Sequence, residues 1–217
     1  MSASVVTYKG REIYAAALNG TVDVPKYVGW GIDLAGVDTL TAAQTDVSLF
    51  SPSLAQTNDR ATGTTSIVTT NTTNDTLQVV GTLTAASSLA ICEVGLFDSA
   101  TYPATDSVQA SSGVIGSSTG TTVIVATGTN FAVNDYIQIR TEVMLVTAIA
   151  TNTLTVTRAQ NGTTAIATIA QGDVVGQGNP PGQTGVAGGN LFAHADFAVI
   201  NLSTGDSIQF TLGAYVQ

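Results

Sequence analysis

His194 is the only histidine of the chain, and Asp196 follows it two residues later in the stretch FAHADF. In a β-strand these two side chains point to the same face, where the carboxylate could hold the imidazole as it does in general-base catalysis. Hydrolysis by a serine would also require a nucleophile elbow, which we do not expect in this chain. A structural or interface hydrogen bond is therefore the preferred interpretation of His194.

Glu93 stands in the apolar run LAICEVGLF, directly after the single cysteine, Cys92. A carboxyl group in such surroundings could act as a general acid, because burial raises the pKa of an acid. No histidine lies near it in the sequence, so we favour a structural role in which Glu93 pairs with Arg60 or Arg11, or accepts backbone N–H groups. Cys92 has no second cysteine for a disulfide, and its apolar neighbours predict a buried thiol.

The remaining candidates for ligand chemistry are weaker. Asp33 and Asp38 in DLAGVD could touch a cation, but their spacing fits no calcium loop, so a loop turn is the default. The glycine-rich stretches GWG and GNPPGQTG are not followed by the G-K-[ST] of a phosphate loop. Trp30, Tyr102 and Tyr136 could stack on sugars, although Trp30 fits a core or subunit interface better. The sequence therefore predicts no enzyme, and no catalytic, cofactor-binding or metal-binding residues.

The composition excludes several classes of partner. Only 10% of the 217 residues are charged, against about 25% in an ordinary soluble protein. The formal net charge is −9, and the six basic residues are scattered along the chain, so we expect neither nucleic acid nor an anionic membrane as a partner. We see no signal peptide and no membrane-spanning stretch, and we expect synthesis in a cytoplasm with release by another path, such as a virus particle.

Strands must position these residues, because alternation of apolar and polar side chains runs through the sequence. One face of TLQVVGTLTA carries Leu77, Val79 and Leu83, and NTTND before it predicts a turn. The clearest alternation is in the last strand, where Ile208, Phe210, Leu212, Ala214 and Val216 share one face. The long run DYIQIRTEVMLVTAI is predicted to bend at 140–142, with Ile137, Ile139, Val143, Leu145 and Ile149 on one face. A short helical turn is expected near Glu12–Leu18.

Two stretches of linker composition, 98–113 and 176–189, bracket a strand-rich segment. On either side of them, EVGLFDSA and GGNLFAHADFAVINL have the pattern of two halves of one hairpin. We therefore predict an all-β chain with an outer antiparallel β-sandwich, jelly-roll-like, formed by 1–105 plus 186–217. A small β-barrel domain, 112–176, is predicted to be inserted in the hairpin, where a long insertion costs little loop-closure entropy.

The outer stretches, YVGWG through EVGLFDSA and then GGNLFAHADF through GDSIQF, resemble a recurring structural protein of tailed bacteriophages. Related sequences occur among capsid decoration (cement) proteins and tail-fibre-like virion proteins. The inserted segment is similar to a small β-module of phage virion proteins with the pattern E-x-M-x-V … L-T-V-x-R-x-x-x-G-T. The pattern falls here on Glu142, Met144, Val146, Leu154, Thr155, Val156, Arg158, Gly162 and Thr163.

The resemblance implies a non-enzymatic virion protein that is exposed on the particle surface. We expect a capsid cement protein whose outer sandwich lies on the coat lattice, with the inserted module toward solvent. Its implied partners are the major capsid protein and copies of itself, as a homotrimer, with no cofactor and no small-molecule substrate. One alternative is a tail fibre or baseplate component that touches the host surface. Another is a secreted carbohydrate-binding module, which a signal peptide would favour.

Overall fold

A computed structural model gives the structure of residues 4–34, 37–53, 60–109, 115 and 117–215. Strands make up 46% of the chain and helices 9%, which confirms the predicted all-β class. The strands form antiparallel sheets of five, six and three members. The six-stranded sheet curves as half of a barrel, and the other two sheets face each other as a sandwich.

The five-stranded sheet has the order β1-β13-β6-β2-β3. Its strands are β1 (Ser4–Val6), β2 (Tyr27–Ile32), β3 (Ala61–Thr62), β6 (Leu89–Phe97) and β13 (Leu191–Leu202). Strands β6 and β13 pair antiparallel from Leu89↔Leu202 to Phe97↔Leu191, as expected for two halves of one hairpin. Their inner faces, with the fully buried Trp30, form most of the sandwich core.

The three-stranded sheet covers that core in the order β14-β5-β4. Its strands are β4 (Thr64–Val68), β5 (Thr76–Thr84) and β14 (Ser207–Tyr215). Ile208, Phe210, Leu212 and Ala214 of the apolar face predicted for the last strand pack on the core, and so do Leu77, Val79 and Leu83 of β5. Val216, the last residue of that predicted face, lies outside the described residues. The predicted turn between β4 and β5 is also present, since Asp75 accepts the backbone N–H groups of Thr70, Asn71 and Thr72.

The main helix, α1 (Tyr8–Leu18), is longer than the predicted turn. The side chain of Thr7 accepts the N–H of Gly10, which caps the first turn. The same hydroxyl donates to the carbonyl of Leu191 at 2.6 Å. A Cβ on Gly10 would collide with the carbonyl of Phe192, so glycine lets the helix lie directly against β13. Short 3₁₀ helices cover Val37–Thr39 and Gly128–Asn130.

The six-stranded sheet is built by the middle of the chain in the order β7-β12-β9-β10-β11-β8. Its strands are β7 (Asp106–Ser107), β8 (Thr122–Ile124), β9 (Tyr136–Ile139), β10 (Glu142–Ala150), β11 (Thr153–Gln160) and β12 (Val174–Gln177). The sheet closes around an apolar core of its own that includes Ile137, Met144 and Leu154. The division of the chain into an outer and an inserted domain stays a prediction.

Strand β10 presents a different face to this core from the one predicted. The chain bends at 140–141 as expected, and Arg140 has the left-handed φ of 53°. The turn pairs Glu142 with Ile139 and Met144 with Ile137, and directly paired residues share a face. Met144 and Val146 therefore belong to the core, whereas Leu145 is only half-buried. The prediction that Val143 and Leu145 share a face with Ile137 and Ile139 was wrong, because it continued the alternation of side chains through the turn without a break.

Described parts of the two stretches of linker composition are paired or buried, which their sequences did not predict. Asp106–Ser107 is an edge strand that pairs with β12. Residues 175–180 are buried, and the side chain of Asn179 bonds to the carbonyl of Val186 and the amide of Asn190. Glycine and proline in 175–180 permit close packing of the backbone, whereas residues 181–185 are exposed, as the linker composition predicted.

Candidate functional site

The ionisable side chains predicted to matter most meet in one buried cluster, the histidine cluster of Asp46, Glu93 and His194. His194 pairs with Gly95 across β13 and β6, so Glu93, two residues before Gly95, lies diagonally beside it on the same face. On the other side of β6, Gly31 is the partner of Glu93. Any Cβ at Gly31 would overlap the Glu93 carboxylate, so the second glycine of GWG makes room for this polar group.

Both ring nitrogens of His194 contact a carboxylate. Nδ1 lies 2.8 Å from Oδ2 of Asp46, and Nε2 lies 2.8 Å from Oε2 of Glu93. A neutral imidazole has only one N–H, so two carboxylate acceptors require the doubly protonated ring. Burial alone would lower the pKa of His194, but the hydrogen bonds and charges of Asp46 and Glu93 outweigh it and raise the pKa to about 9. The cluster therefore holds a buried imidazolium at neutral pH.

The two carboxylates are also occupied by backbone donors from residues 42–51, which we call the anchor segment. Glu93 accepts the N–H groups of Phe50 at 2.9 Å and Ser51 at 2.7 Å. Asp46 accepts the N–H of Ala43 within the segment. The ring of Phe50 covers the imidazole with 4.7 Å between ring centroids. The cluster thus fastens an irregular segment to the five-stranded sheet.

These contacts decide between the sequence alternatives for Glu93 and His194. The expected backbone N–H bonds of Glu93 are confirmed, and its pairing with Arg60 or Arg11 was wrong. Arg60 instead lies over the ring of Phe97 and donates to backbone carbonyls of Ser99 and Thr101. The imidazole bonds to Asp46 and Glu93 rather than to Asp196, which accepts the N–H of Ala42.

The anchor segment also contacts the six-stranded sheet through Gln138 of β9. Oε1 of Gln138 accepts the N–H groups of Val47 and Ser48, and its Nε2 donates to Oδ1 of Asp46 at 3.0 Å. The side chain of Asn161 adds a bond to the carbonyl of Thr45. One buried polar network therefore joins β9, the anchor segment, β6 and β13.

The E-x-M-x-V … L-T-V-x-R-x-x-x-G-T motif contains a second buried ionic contact. Arg158 donates from Nε and Nη2 to the two oxygens of Glu142, both at 2.6 Å. The side chain of Glu142 is 0% exposed and that of Arg158 is 7% exposed. Glu142 also accepts the N–H groups of Ala159 and Ile166, and Arg158 also donates to the carbonyl of Gly120.

The other residues of the motif are structural as well. Core positions are held by Met144, Val146, Leu154 and Val156. Thr163 accepts the N–H of Val143 and donates to the carbonyl of Gln160, while Gly162 takes a left-handed φ of 78° in the turn. Thr155 is exposed on β11. The spacing of the motif is thus the spacing of a core, a buried ion pair and a turn.

The weaker candidates are dispersed. Cys92 is buried, as predicted, and burial raises the pKa of its thiol to about 12. Trp30 is in the core with its ring edge-on to Phe210. Asp33 accepts the N–H of Asp38, as a loop turn would. The described residues hold no group of three or more His, Cys, Asp or Glu placed to bind a metal ion.

One motif was missed in the sequence. The residues 116–120, GSSTG, do fit G-x-S-x-G, so the expectation that excluded an elbow was wrong on this point. Ser118 is exposed in a turn, and the chain continues into strand β8. An elbow requires a strand before the serine and a helix after it, and the single histidine has both nitrogens committed elsewhere. This serine therefore lacks the setting of a nucleophile.

A surface feature was missed too, because its members are far apart in sequence. An apolar groove of about 390 Å³ lies between α1, the segment 24–25 and the β4–β5 hairpin. Its exposed rim includes Tyr14, Leu18, Val24 and Ile67. Exposed apolar side chains gathered in one groove offer a surface on which another molecule can bury apolar area.

Comparison of the chain with family models, with characterised proteins and with solved structures finds no match. The resemblance to phage virion proteins therefore stays a prediction. Where the structure describes the chain, no helix has the length and apolarity of a membrane span.

The imidazolium makes stability depend on pH in a defined direction. The pKa of His194 is raised from 6.5 to about 9 on folding, so its contribution is complete below about pH 6.5 and is lost as the pH rises through 9. We expect the free energy of unfolding to fall by on the order of 3 kcal/mol over this window. Denaturant unfolding at a series of pH values measures it, with His194→Gln as the variant that should lose the slope. A stability that rises across the window would contradict the imidazolium.

Proposed function

We propose that this chain is a structural protein of a tailed-phage particle, a capsid decoration protein that binds the outer surface of the coat lattice and catalyses no reaction. The observation that carries the proposal is the apolar groove, an exposed contact surface on a strongly acidic chain. The groove belongs to α1, β4 and β5, which lie in the part that the sequence resemblance assigns to lattice binding. The proposed partners are the coat protein and further copies of this chain.

The use of the ionisable side chains supports a non-enzymatic role. His194 and Glu93, the two strongest catalytic candidates, are at most 1% exposed. Their polar atoms are engaged by Asp46 and by backbone donors of the anchor segment. A general acid or base must reach its substrate within hydrogen-bond distance. These groups instead hold irregular backbone in place.

A decoration protein of this kind acts by adding contacts that exist only in the assembled shell. Apolar surface removed from water contributes about 25 cal/mol per Å², and a ligand that binds only the intact state stabilises that state. Each contact can be weak, because a lattice presents many sites to linked copies. The groove provides apolar surface for the contact between copies of this chain, which links the copies that bind the lattice and requires no charged partner.

DNA-filled particles that lack this chain supply the test. We expect them to assemble but to release DNA at a lower temperature, and added recombinant protein should restore the release temperature. With a net charge of −9, binding to an acidic shell should be unchanged or slightly tighter at higher salt, because salt screens repulsion. Binding confined to tail structures, or unaltered heat stability, would replace the cement assignment with a tail fibre or baseplate component.

A further inference from the structure

Ile67 is exposed although its strand register points it into the sandwich. It pairs with Leu77, and Thr65 pairs with Val79. Leu77 and Val79 pack on the sandwich core, and directly paired residues share a face. Ile67 therefore lies on the inner face of the sheet, yet it is 69% exposed. The core is open to solvent at this edge.

The apolar groove is that opening. Its floor is formed by Leu77 and Phe192, and its walls by Leu18, Val24 and Ile67. Leu18, at the end of α1, is 72% exposed. Covering the groove would therefore complete a core whose inner side is already packed. The wall residues are still largely exposed to water, so covering them would remove apolar surface from water and stabilise the contact.

Strand β4 lies beside the groove, and its outer edge is unpaired among the described strands. It is the last member of its sheet, and in the part of the chain that the structure describes no strand pairs with its outer side. Edges of this kind are normally blocked by lysine, proline or a bulge. The strand Thr64–Val68 reads TTSIV and pairs with β5 without a register shift, so it has none of these devices.

The charges favour a copy of this chain as the strand that covers the edge. The chain carries 15 acidic residues, but β4 carries none, and the carboxylate among the groove residues is Asp75. Asp75 is turned to the N–H groups of Thr70, Asn71 and Thr72 in its own hairpin. Two copies of β4 can therefore pair without placing like charges opposite each other. A basic partner, in contrast, would find no carboxylate on β4 to bind.

We propose that β4 is the contact between two copies of this chain, which pair antiparallel about a two-fold axis at Ser66. This register overlaps all five residues and places Ser66 opposite its counterpart and Ile67 opposite Thr65 of the other copy. Ile67 of both copies then lies on the same face, over both grooves. Backbone hydrogen bonds join the two three-stranded sheets into one, and the paired apolar walls close the two open cores.

This contact goes beyond the proposed function, because it forms between free molecules and does not require a capsid. It also differs from the homotrimer that the resemblance implies, since a self-complementary contact joins two copies. The mass of the protein in solution therefore tests it separately from any effect on particles.

Sedimentation of the full chain over a wide concentration range provides the first measurement. We expect a monomer–dimer equilibrium, and Ile67→Lys should raise the dimer dissociation constant at least about tenfold, because the dimer would have to bury one ammonium group from each copy. Val133→Lys is the matched control, since Val133 is 50% exposed in the six-stranded part, and it should leave the constant unchanged. Thermal melting should show that both variants fold, as both positions are exposed.

Cross-linking provides the second measurement and tests the register. The only native cysteine, Cys92, is buried, so Ser66→Cys under mild oxidation should give a covalent dimer, because directly opposed residues of antiparallel strands fit disulfide geometry. Val133→Cys should stay monomeric. A wild-type chain that is monomeric or trimeric, or equal association by Ile67→Lys, would overturn the pairing. If Ile67→Lys instead abolished binding to capsids while the free chain was monomeric, the groove would belong to the coat protein.

Discussion

Arg158→Ala should lower the free energy of unfolding by about 3–5 kcal/mol, because it leaves the carboxylate of Glu142 buried without its cation. The side chain of Glu142 is 0% exposed, and both of its oxygens bond to Arg158. The two N–H groups that remain, from Ala159 and Ile166, do not neutralise a full charge. Denaturant unfolding of the purified variant measures the loss.

Two further variants separate charge burial from simple loss of an arginine. Arg140→Ala removes a cation from the same sheet. The Arg140 side chain is 29% exposed and lies 3.4 Å from the buried Asp173, so we expect a smaller loss than for Arg158→Ala because this pair is longer and its arginine reaches water. Arg158→Met with Glu142→Leu replaces the pair by apolar groups and should recover most of the stability. If Arg158→Ala and Arg140→Ala cost the same, the buried pair is not the reason for the loss.

His194→Gln should cost about 3–5 kcal/mol, because it leaves the carboxylates of Asp46 and Glu93 buried without the imidazolium between them. A glutamine amide is uncharged, and it has a single nitrogen where the imidazole presents two on opposite sides. The loss should be concentrated in the anchor segment, whose backbone is held by these carboxylates. Hydrogen exchange at the N–H groups of Phe50 and Ser51 reports this directly, alongside the equilibrium stability.

The control for this variant is Asn201→Gln on the same strand, where the side chain is exposed and a change of less than about 0.5 kcal/mol is expected. Adding Glu93→Gln to His194→Gln should restore part of the stability, since it removes one of the two uncompensated charges. Unchanged protection of Phe50 and Ser51 in His194→Gln would show that the cluster does not hold the segment.

The strands were predictable where the pattern is local. The alternation of Ile208, Phe210 and Leu212 with polar neighbours identifies the face of β14 without any knowledge of its partner. The buried position of Glu142 was not predictable in this way, because it depends on the left-handed Arg140 and the two-residue turn that follows from it. A turn of one residue more or less would have moved every later side chain to the other face.

The histidine cluster was only half visible in the sequence. His194 and Glu93 were identified by their types and apolar surroundings, and the fold brings them together because β6 and β13 are neighbours. Asp46 lies 148 residues from His194 in an irregular segment, where neither period nor motif marks it. Contacts of this kind arise from tertiary packing, and a single sequence carries no signal for the pairing.

The network through Gln138 affects how the protein transmits mechanical force. The anchor segment is bonded on one side to β9 and on the other to β6 and β13. It therefore links the two sheets mechanically, in addition to the two stretches of chain that connect them. A pull on the six-stranded part is therefore carried by short buried hydrogen bonds before the connections are stretched. Under load, the sheets should therefore unfold together at a high force, and the connecting segments should not extend first at a low force.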